Sequence, residues 1–486
     1  MSVRAGRHEA PRPGLLALLA VAELMLTLDL SIVNVALPAI RDGLGFDQGS
    51  LQWVVNGYAL TFAGFLLPGG RAADLLGRRR VFVTALGAFS LASLACGLAA
   101  SGPALIAGRV VQGLSAGILA PTTLSILTGA FREPGARSRA LAIWTGVAIG
   151  GGAVGGLLGG VLTSALSWRW IFFVNVPVGA WLIARAVALL PRSEPRRDST
   201  HVDLAGAVTV TGGLTAVAWG LIRSTELGWG SGEVIGALVL SAALLGSFVV
   251  LELRVARVPL VPFSVLRSRP VWAGNLLSFL SFVPVMATWF FVTIYLQRVR
   301  GLTAMEAGLL FLPMSLAVIG GSQASFRLIR RLDARAVFLV GGLTAALGLA
   351  SLARLQTGTG LAWVIAAASI AMAGGGLMFA PITVAATSTA PEQGGLASGL
   401  LNTTRQIGGA LGLAVLDTIA ARHAGAASPT ALTAGFATAF EVGAVVFAAT
   451  AVVGAIALPG RLSPRAWRPP RPPPTSYRYA RSPAAR

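Results

Sequence analysis

The most constraining feature of this chain is a recurring apolar run of about 20 residues, the length an α-helix needs to cross ~30 Å of hydrocarbon. Such runs cover residues 14–38, 51–70, 80–99, 104–127, 139–163, 170–190, 203–223, 232–252, 270–295, 305–326, 335–355, 361–386, 398–421 and 435–457, fourteen in all. Short Arg-, Pro- or Gly-bearing breaks separate them. Barrel strands would show ~10-residue stretches of alternating polarity, which are missing, so the pattern predicts an all-α integral membrane protein. Composition agrees: charged residues make up 12% of the chain and the AVILMFWYC set 55%, against about 25% charge in soluble domains. The first run is not read as a cleaved signal peptide, because it is too long, carries Glu23 and Asp29, and ends in "ALPAI".

The formal charge of +20 comes from 38 basic residues, all Arg, against 18 acidic ones. Their placement decides what the excess means. With an even number of crossings and a cytoplasmic N-terminus, 29 of the 38 fall on the cytoplasmic side, 7 outside, and Arg109 and Arg405 within spans. That asymmetry predicts both termini inside a cell inner (cytoplasmic) membrane and makes the lipid bilayer, rather than nucleic acid, the partner of the basic excess. The only cysteine is Cys96, which excludes an intrachain disulfide and a CxxC metal site. The three histidines, His8, His201 and His423, lie in tails or loops, so neither a metal site nor an enzyme is expected.

The breaks divide the chain into a cytoplasmic tail (1–13), six spans (14–190), a polar linker (191–202), a two-helix insert (203–252), a second linker (253–269), six further spans (270–457) and an Arg/Pro-rich tail (458–486) expected to be disordered. A 6+2+6 layout is what a duplicated transporter with an inserted hairpin would show.

The break after the second run reads "GRAADLLGRRR" (70–80). Gly70 and Gly77 permit a tight turn, Asp74 offers an acceptor near a helix N-terminus, and Arg78, Arg79 and Arg80 mark the cytoplasmic side. This matches the G-x-L-x-D-x-x-G-R-R/K signature of the major facilitator superfamily, with Ala72 at the usual Leu. Together with "LDLSIVNVALPAI" (28–40), "WVVNGYAL" (53–60), "SWRWIFFVNVPVG" (167–179) and "GLASGLLNTTRQIGGALGLAVL" (395–416), it makes residues 14–457 resemble the fourteen-span drug:proton antiporter branch. The resemblance implies the major facilitator fold, two six-helix bundles plus two extra central helices. It also implies export of an amphipathic small-molecule substrate in exchange for protons, driven by the proton motive force without a cofactor, by a chain acting as a monomer.

Ionisable residues within spans are functional candidates by default, because burying them in lipid is costly. Asp29 lies just past the middle of the first span and Arg109 in the outer part of the fourth. At 1.5 Å per residue their depths differ by about a turn or two, within reach of a long Arg side chain. Asp29 is read as a proton-coupling carboxylate tuned by Arg109, the alternative being a static ion pair that fixes helix packing. Glu23 lies ~120° round the helix from Asp29 and suits a second proton site, a recognition group for cations, or a snorkelling side chain. Arg405 either snorkels or lines the pathway. Glu441, Asn34, Gln112, Trp289 and Phe290 complete the possible substrate pathway, the aromatic pair by stacking on substrate. Polar residues such as Asn34, Gln112 and Asn175 equally suit interhelical hydrogen bonding.

The fifth span contains "GVAIGGGAVGGLLGG" (146–160). Gly146, Gly150, Gly155, Gly156, Gly159 and Gly160 recur at spacings that let helices approach closely. Antiporters of the superfamily carry G-x-x-x-G-P-x-x-G-G here. In this chain Gly156 stands at the proline, so any bend rests on glycine flexibility. The run has no preceding strand and no GK[ST], which excludes a nucleotide loop. The alternatives within the same reading are a dedicated exporter of one metabolite or self-made antibiotic, an importer, or a non-transporting scaffold or sensor.

Overall fold

The computed structural model describes residues 13–131, 133–190, 203–255, 260, 268–329, 331–388, 394–424 and 428–458. Among these residues the chain is helical throughout and contains no strand. Helices α1 (Pro13–Leu44), α3 (Trp53–Leu76), α4 (Arg78–Gly97), α5 (Gly102–Ala130), α6 (Pro134–Ala165) and α8 (Asn175–Leu189) form a first group, with short helices α2 (Gln48–Leu51) and α7 (Trp170–Phe173) between them. A hairpin follows, α9 (Leu204–Leu227) and α10 (Gly232–Val250). The second group is α11 (Arg269–Ile294), α12 (Ala304–Leu328), α13 (Ala334–Leu352), α14 (Leu361–Ala386), α15 (Gly394–Ala424) and α16 (Pro429–Ala457). Each of the fourteen predicted runs is covered by helix, run 170–190 by α7 and α8 together, and among the described residues eleven helices are long and apolar enough to cross a membrane.

Local signals set the helix ends. Side chains of Ser101, Ser231, Asp203, Asp333 and Ser428 accept hydrogen bonds from the first-turn amides of α5, α10, α9, α13 and α16, satisfying donors that would otherwise be orphaned. Thr303 and Glu306 form a reciprocal capping box at α12. Helix α1 runs beyond its apolar span to Leu44, closing on Gly45 at φ 69°. Large apolar side chains such as Leu91, Leu98, Val239, Leu316, Leu347 and Ile456 are exposed on the outer surface, a face that suits acyl chains and not water.

The two groups meet along α6–α12 and α3–α15, and the hairpin covers the second seam. Glycines on α6 serve two contacts at once. A Cβ on Gly155 would stand 2.7 Å from Ser31 Cβ, and one on Gly159 2.7 Å from the Ile32 carbonyl, so these glycines seat α6 on α1. A Cβ on Gly160 would stand 2.5 Å from the Ala304 carbonyl, and one on Gly308 2.6 Å from the Gly156 carbonyl, so the next face of α6 seats on α12 of the other bundle. The surroundings of Gly146 and Gly150 lie outside the described residues. Helix α6 is unbroken through Gly156. Thr403 Oγ1 on α15 donates to the Ala63 carbonyl of α3 (3.3 Å), and Thr418 Oγ1 donates to Leu221 of α9 (3.1 Å). Trp53 packs on Trp219 of the hairpin at 5.8 Å.

The bundles are joined most fully at one end. Opposite the Gly77 turn, Gln297 Nε2 donates to the Val35 carbonyl (2.7 Å) and Met305 N to Ser164 Oγ (3.1 Å). A continuous apolar core there includes Ile32, Val35, Leu37 and Ile40 from α1 with Phe291, Leu296 and Ala304 from the second group. At the Gly77 end, Leu18, Leu19, Phe82, Leu86 and Leu127 form a core that stays within the first bundle.

Candidate functional site

The strongest concentration of buried polar groups lies inside the first bundle. Asp29 on α1 and Arg109 on α5 are each 1% exposed, and Arg109 Nη1 donates to Asp29 Oδ2 at 2.6 Å. The other carboxylate oxygen, Oδ1, accepts from Gln112 Nε2 at 3.1 Å and from Asn175 Nδ2 at 2.9 Å. Ser93 Oγ on α4 accepts from both of those amides at 3.0 Å and donates to the Phe172 carbonyl at 3.1 Å. Arg109 is held from behind as well. Its Nε donates to the Val54 carbonyl at 2.9 Å, Nη1 also reaches Gln112 Oε1 at 3.0 Å, and the guanidinium carbon lies 4.4 Å from the Tyr58 ring. Six helices thus contribute to one network centred on this carboxylate, which itself accepts from α5 and α8.

Local sequence explains why they can. Gly108, one residue from Arg109, leaves no Cβ to strike the Cys96 sulfur, and a Cβ on Gly113 would run into the Tyr58 carbonyl. The close α4–α5 and α3–α5 approach therefore depends on glycine. Gln112 lies one turn from Arg109 on the same helix face. An ion pair removed from water is stable only when its remaining hydrogen-bonding capacity is filled, and here both carboxylate oxygens are filled. A cavity of about 120 Å³ abuts the Asp29–Asn175 edge of the cluster, with walls that include Val21, Leu28, Leu158, Ile171 and Val178.

The remaining sequence candidates are dispersed. Glu23 is buried less than two turns from Asp29, and its Oε2 meets no partner among the described residues. Asn34 donates to its own helix at Leu30. Trp289 packs on Phe311 at 5.2 Å beside Gly156. Phe290 is enclosed in the core against Phe291, so the structure separates it from Trp289 and from any open path. Glu441 is exposed on the outer face of α16, in the stripe of Val445, Val452 and Ile456, and faces away from both bundles. Arg405 is part-buried on α15 between Phe282 and Phe379.

The Gly70–Arg80 segment departs from the expected loop. Helix α3 continues through Gly70 to Leu76 because Ala72, Ala73, Leu75 and Leu76 favour helix, and the reversal is made at Gly77 alone, at φ 91°. Gly70 therefore sits in a helix near Pro121 rather than in a turn. Arg79 Nη2 donates to the Val187 carbonyl of α8 at 2.8 Å, and the Arg78 guanidinium fills the space left by Gly129 on α5. The Asp74 side chain lies outside the described residues.

Two participants carry weak sequence signals. Ser93 and Tyr58 look ordinary in their apolar runs, since Ser is common in membrane helices and Tyr is common near interfaces. Asn175, read as a packing residue, contacts the central carboxylate directly.

Comparison with known proteins agrees with the architecture. The Major Facilitator Superfamily model matches residues 19–413. The chain is 42% identical over 437 residues to the cephamycin export protein CmcT of Amycolatopsis lactamdurans, covering 89% of each chain. It is 38% identical over 411 residues to the puromycin resistance protein pur8 of Streptomyces alboniger, covering 84% of this chain and 81% of that one. In fold it superposes on the crystal structure of a D-xylose-proton symporter with a TM-score of 0.66 at 11% identity, covering 92% and 98% of the two chains. The converging helices, the paired bundles and these matches give one conclusion: the chain belongs to the major facilitator superfamily of membrane transporters and is not an enzyme.

Proposed function

We propose that this protein is a proton-coupled exporter that moves amphipathic small molecules, drugs or antibiotics among them, out of the cytoplasm by alternating access. The observation that carries the reading is the Asp29 carboxylate, held by Arg109, Gln112 and Asn175 in a water-poor core. Protonating Asp29 removes the charge that Arg109 balances. Arg109 then keeps Gln112 Oε1, the Val54 carbonyl and the Tyr58 ring as partners. Helices α1 and α5 are thereby given two discrete electrostatic arrangements, as a two-state coupling device needs. Glu23 serves as a second proton site less than two turns away.

The layout assigned is six crossings (14–190), two (203–252) and six (270–457), with both termini cytoplasmic and the protein a monomer in the cytoplasmic membrane. In that orientation the shared core closes the outer side, and the Gly77 end, with Gly77, Asp74, Arg78 and Arg79 as its gating elements, faces the cytoplasm. The proton motive force is the only energy source needed. One charge moving through ~100 mV supplies about 2.3 kcal/mol, enough for roughly a fifty-fold gradient of neutral solute at ~1.4 kcal/mol per decade.

The relatives' functions, cephamycin export and puromycin resistance, support export. They also favour a second, narrower reading, a dedicated exporter of one antibiotic. Asp29→Asn in proteoliposomes tests the coupling role. Loss of pH-driven efflux is expected, and undiminished uphill transport would remove Asp29 from it. Expression in a pump-deleted host against a panel of antibiotics and dyes, with and without an uncoupler, separates the two breadths. Protection against a single chemical class favours the narrow exporter.

A further inference from the structure

Arg405 lies about three turns into α15, too deep for its head to reach the helix end. Its guanidinium carbon is 4.9 Å from the ring centroid of Phe282 on α11 and 4.7 Å from that of Phe379 on α14. Phe379 packs edge-on at 6.2 Å against Phe326 of α12, which is partly exposed. Among the described residues no carboxylate and no hydrogen-bond acceptor meets this guanidinium, and its Nε is enclosed without a partner. Arg405 as a whole is only part-buried, so its two terminal nitrogens reach open space. Its side chain faces α11 and α14 of the second bundle, while the opposite side of the same helix meets the first bundle, where Thr403 donates to Ala63; Thr404 Oγ1 donates to Asn275 Oδ1 of α11 at 3.1 Å.

Two ring faces attract a cation, yet they pack an uncharged side chain equally well. A permanent charge at this depth is costly without an anion. The guanidinium also offers a planar fork of donors that matches a carboxylate in two parallel hydrogen bonds. We propose that Arg405 is the anion-recognition group of the transport site. It takes the carboxylate of an amphipathic substrate, while Phe282, Phe379 and Phe326 receive the substrate's apolar or aromatic body. The inference rests on the transporter reading above and narrows its substrate class to amphipathic carboxylates.

The test uses the full-length protein in lipid nanodiscs at one pH, without a gradient. Three probes share one aromatic body: 1-naphthaleneacetate, its methyl ester, and 2-(1-naphthyl)ethylamine. Equilibrium binding to the wild-type protein is expected to favour the carboxylate over the ester by at least about ten-fold, with the amine weakest, the size expected for a desolvated charge-assisted pair. Arg405→Gln should bring the carboxylate down to the ester's affinity while leaving ester binding measurable, which also reports an intact fold. Arg405→Lys should keep part of the preference, since it retains charge but loses the fork. Equal binding of carboxylate and ester by the wild-type protein, binding of neither up to millimolar concentration, or a preference that survives in Arg405→Gln overturns the assignment. Because binding is read without a proton gradient, its failure leaves the exporter reading standing. Conversely, a wild-type protein that shows the preference but moves no panel compound across a pH gradient sinks the exporter reading and not the anion site.

Discussion

Arg109 and Arg405 both lie inside predicted membrane spans, and the molecule treats them in opposite ways. Arg109 is 1% exposed, salt-bridged to Asp29 at 2.6 Å, and hydrogen-bonded to Val54 and Gln112. Arg405 is part-buried, touches two phenyl rings and meets no acceptor among the described residues. The first is closed within one bundle. The second faces two helices of the other bundle. A charge whose partners all belong to its own bundle can change state only by gaining or losing a proton nearby. A charge held by rings alone keeps its donors available to whatever anion enters. Coupling and recognition are accordingly assigned to different bundles.

That division can be broken by experiment. The largest effect is expected from Asp29→Asn, which should lower pH-driven efflux in proteoliposomes by on the order of a hundred-fold or more, as removal of an obligatory proton site requires. Equilibrium binding of the carboxylate probe should be retained in that variant, and its loss would merge the two sites into one. Next comes stability. Arg109→Ala leaves Asp29 buried without its counterion and should cost about 3–5 kcal/mol, whereas Arg405→Ala gives up ring contacts worth roughly 0.5–2 kcal/mol. Thermal unfolding in detergent should show a clearly larger loss of melting temperature for Arg109→Ala. Equal losses would mean that Arg405 is as structural as Arg109.

A third contrast lies on α6. Gly160→Ala places a methyl 2.5 Å from the Ala304 carbonyl of the opposite bundle, while Gly156→Ala meets Phe311 Cβ at an ordinary 3.5 Å. The first should wedge the bundles apart at the end opposite Gly77, and spin-label distances across α6–α12 should lengthen there. Gly156→Ala should leave those distances near the wild-type value. The smallest effect is expected for Ser93→Ala, which removes one shared acceptor of Gln112 and Asn175. It should cost about 1 kcal/mol of stability with a few-fold loss of efflux rate.

Much of this was legible before any fold was known. Apolar runs of crossing length announced the helices one by one, since a chain in lipid must satisfy its backbone internally. Asp29, Arg109 and Gln112 stood out because polarity within a span is expensive, and the depth arithmetic already put Asp29 and Arg109 within reach. The glycines of 146–160 signalled close packing without saying against what. Ser93 and Tyr58 were silent, because a small hydroxyl or a phenol in an apolar run is unremarkable until its neighbours are known. Phe290 and Glu441 were misleading for one reason: position along a helix gives depth and not azimuth. The helices turn Phe290 into the core and Glu441 outward.

By itself, then, the sequence determined the helical class, the approximate helix boundaries, the expected sidedness set by 29 arginines against 7, and the depth of every charge. These are one-dimensional properties, fixed by run length, hydropathy and a rise of ~1.5 Å per residue. Tertiary structure alone decided which charges are partnered. Gly108 and Gly113 let three helices close around Arg109 until its donors were filled, while phenyl rings from α11 and α14 reached Arg405 and no carboxylate did. Partnering depends on which helix faces meet, and that is settled only when side chains from distant parts of the chain compete for the same space.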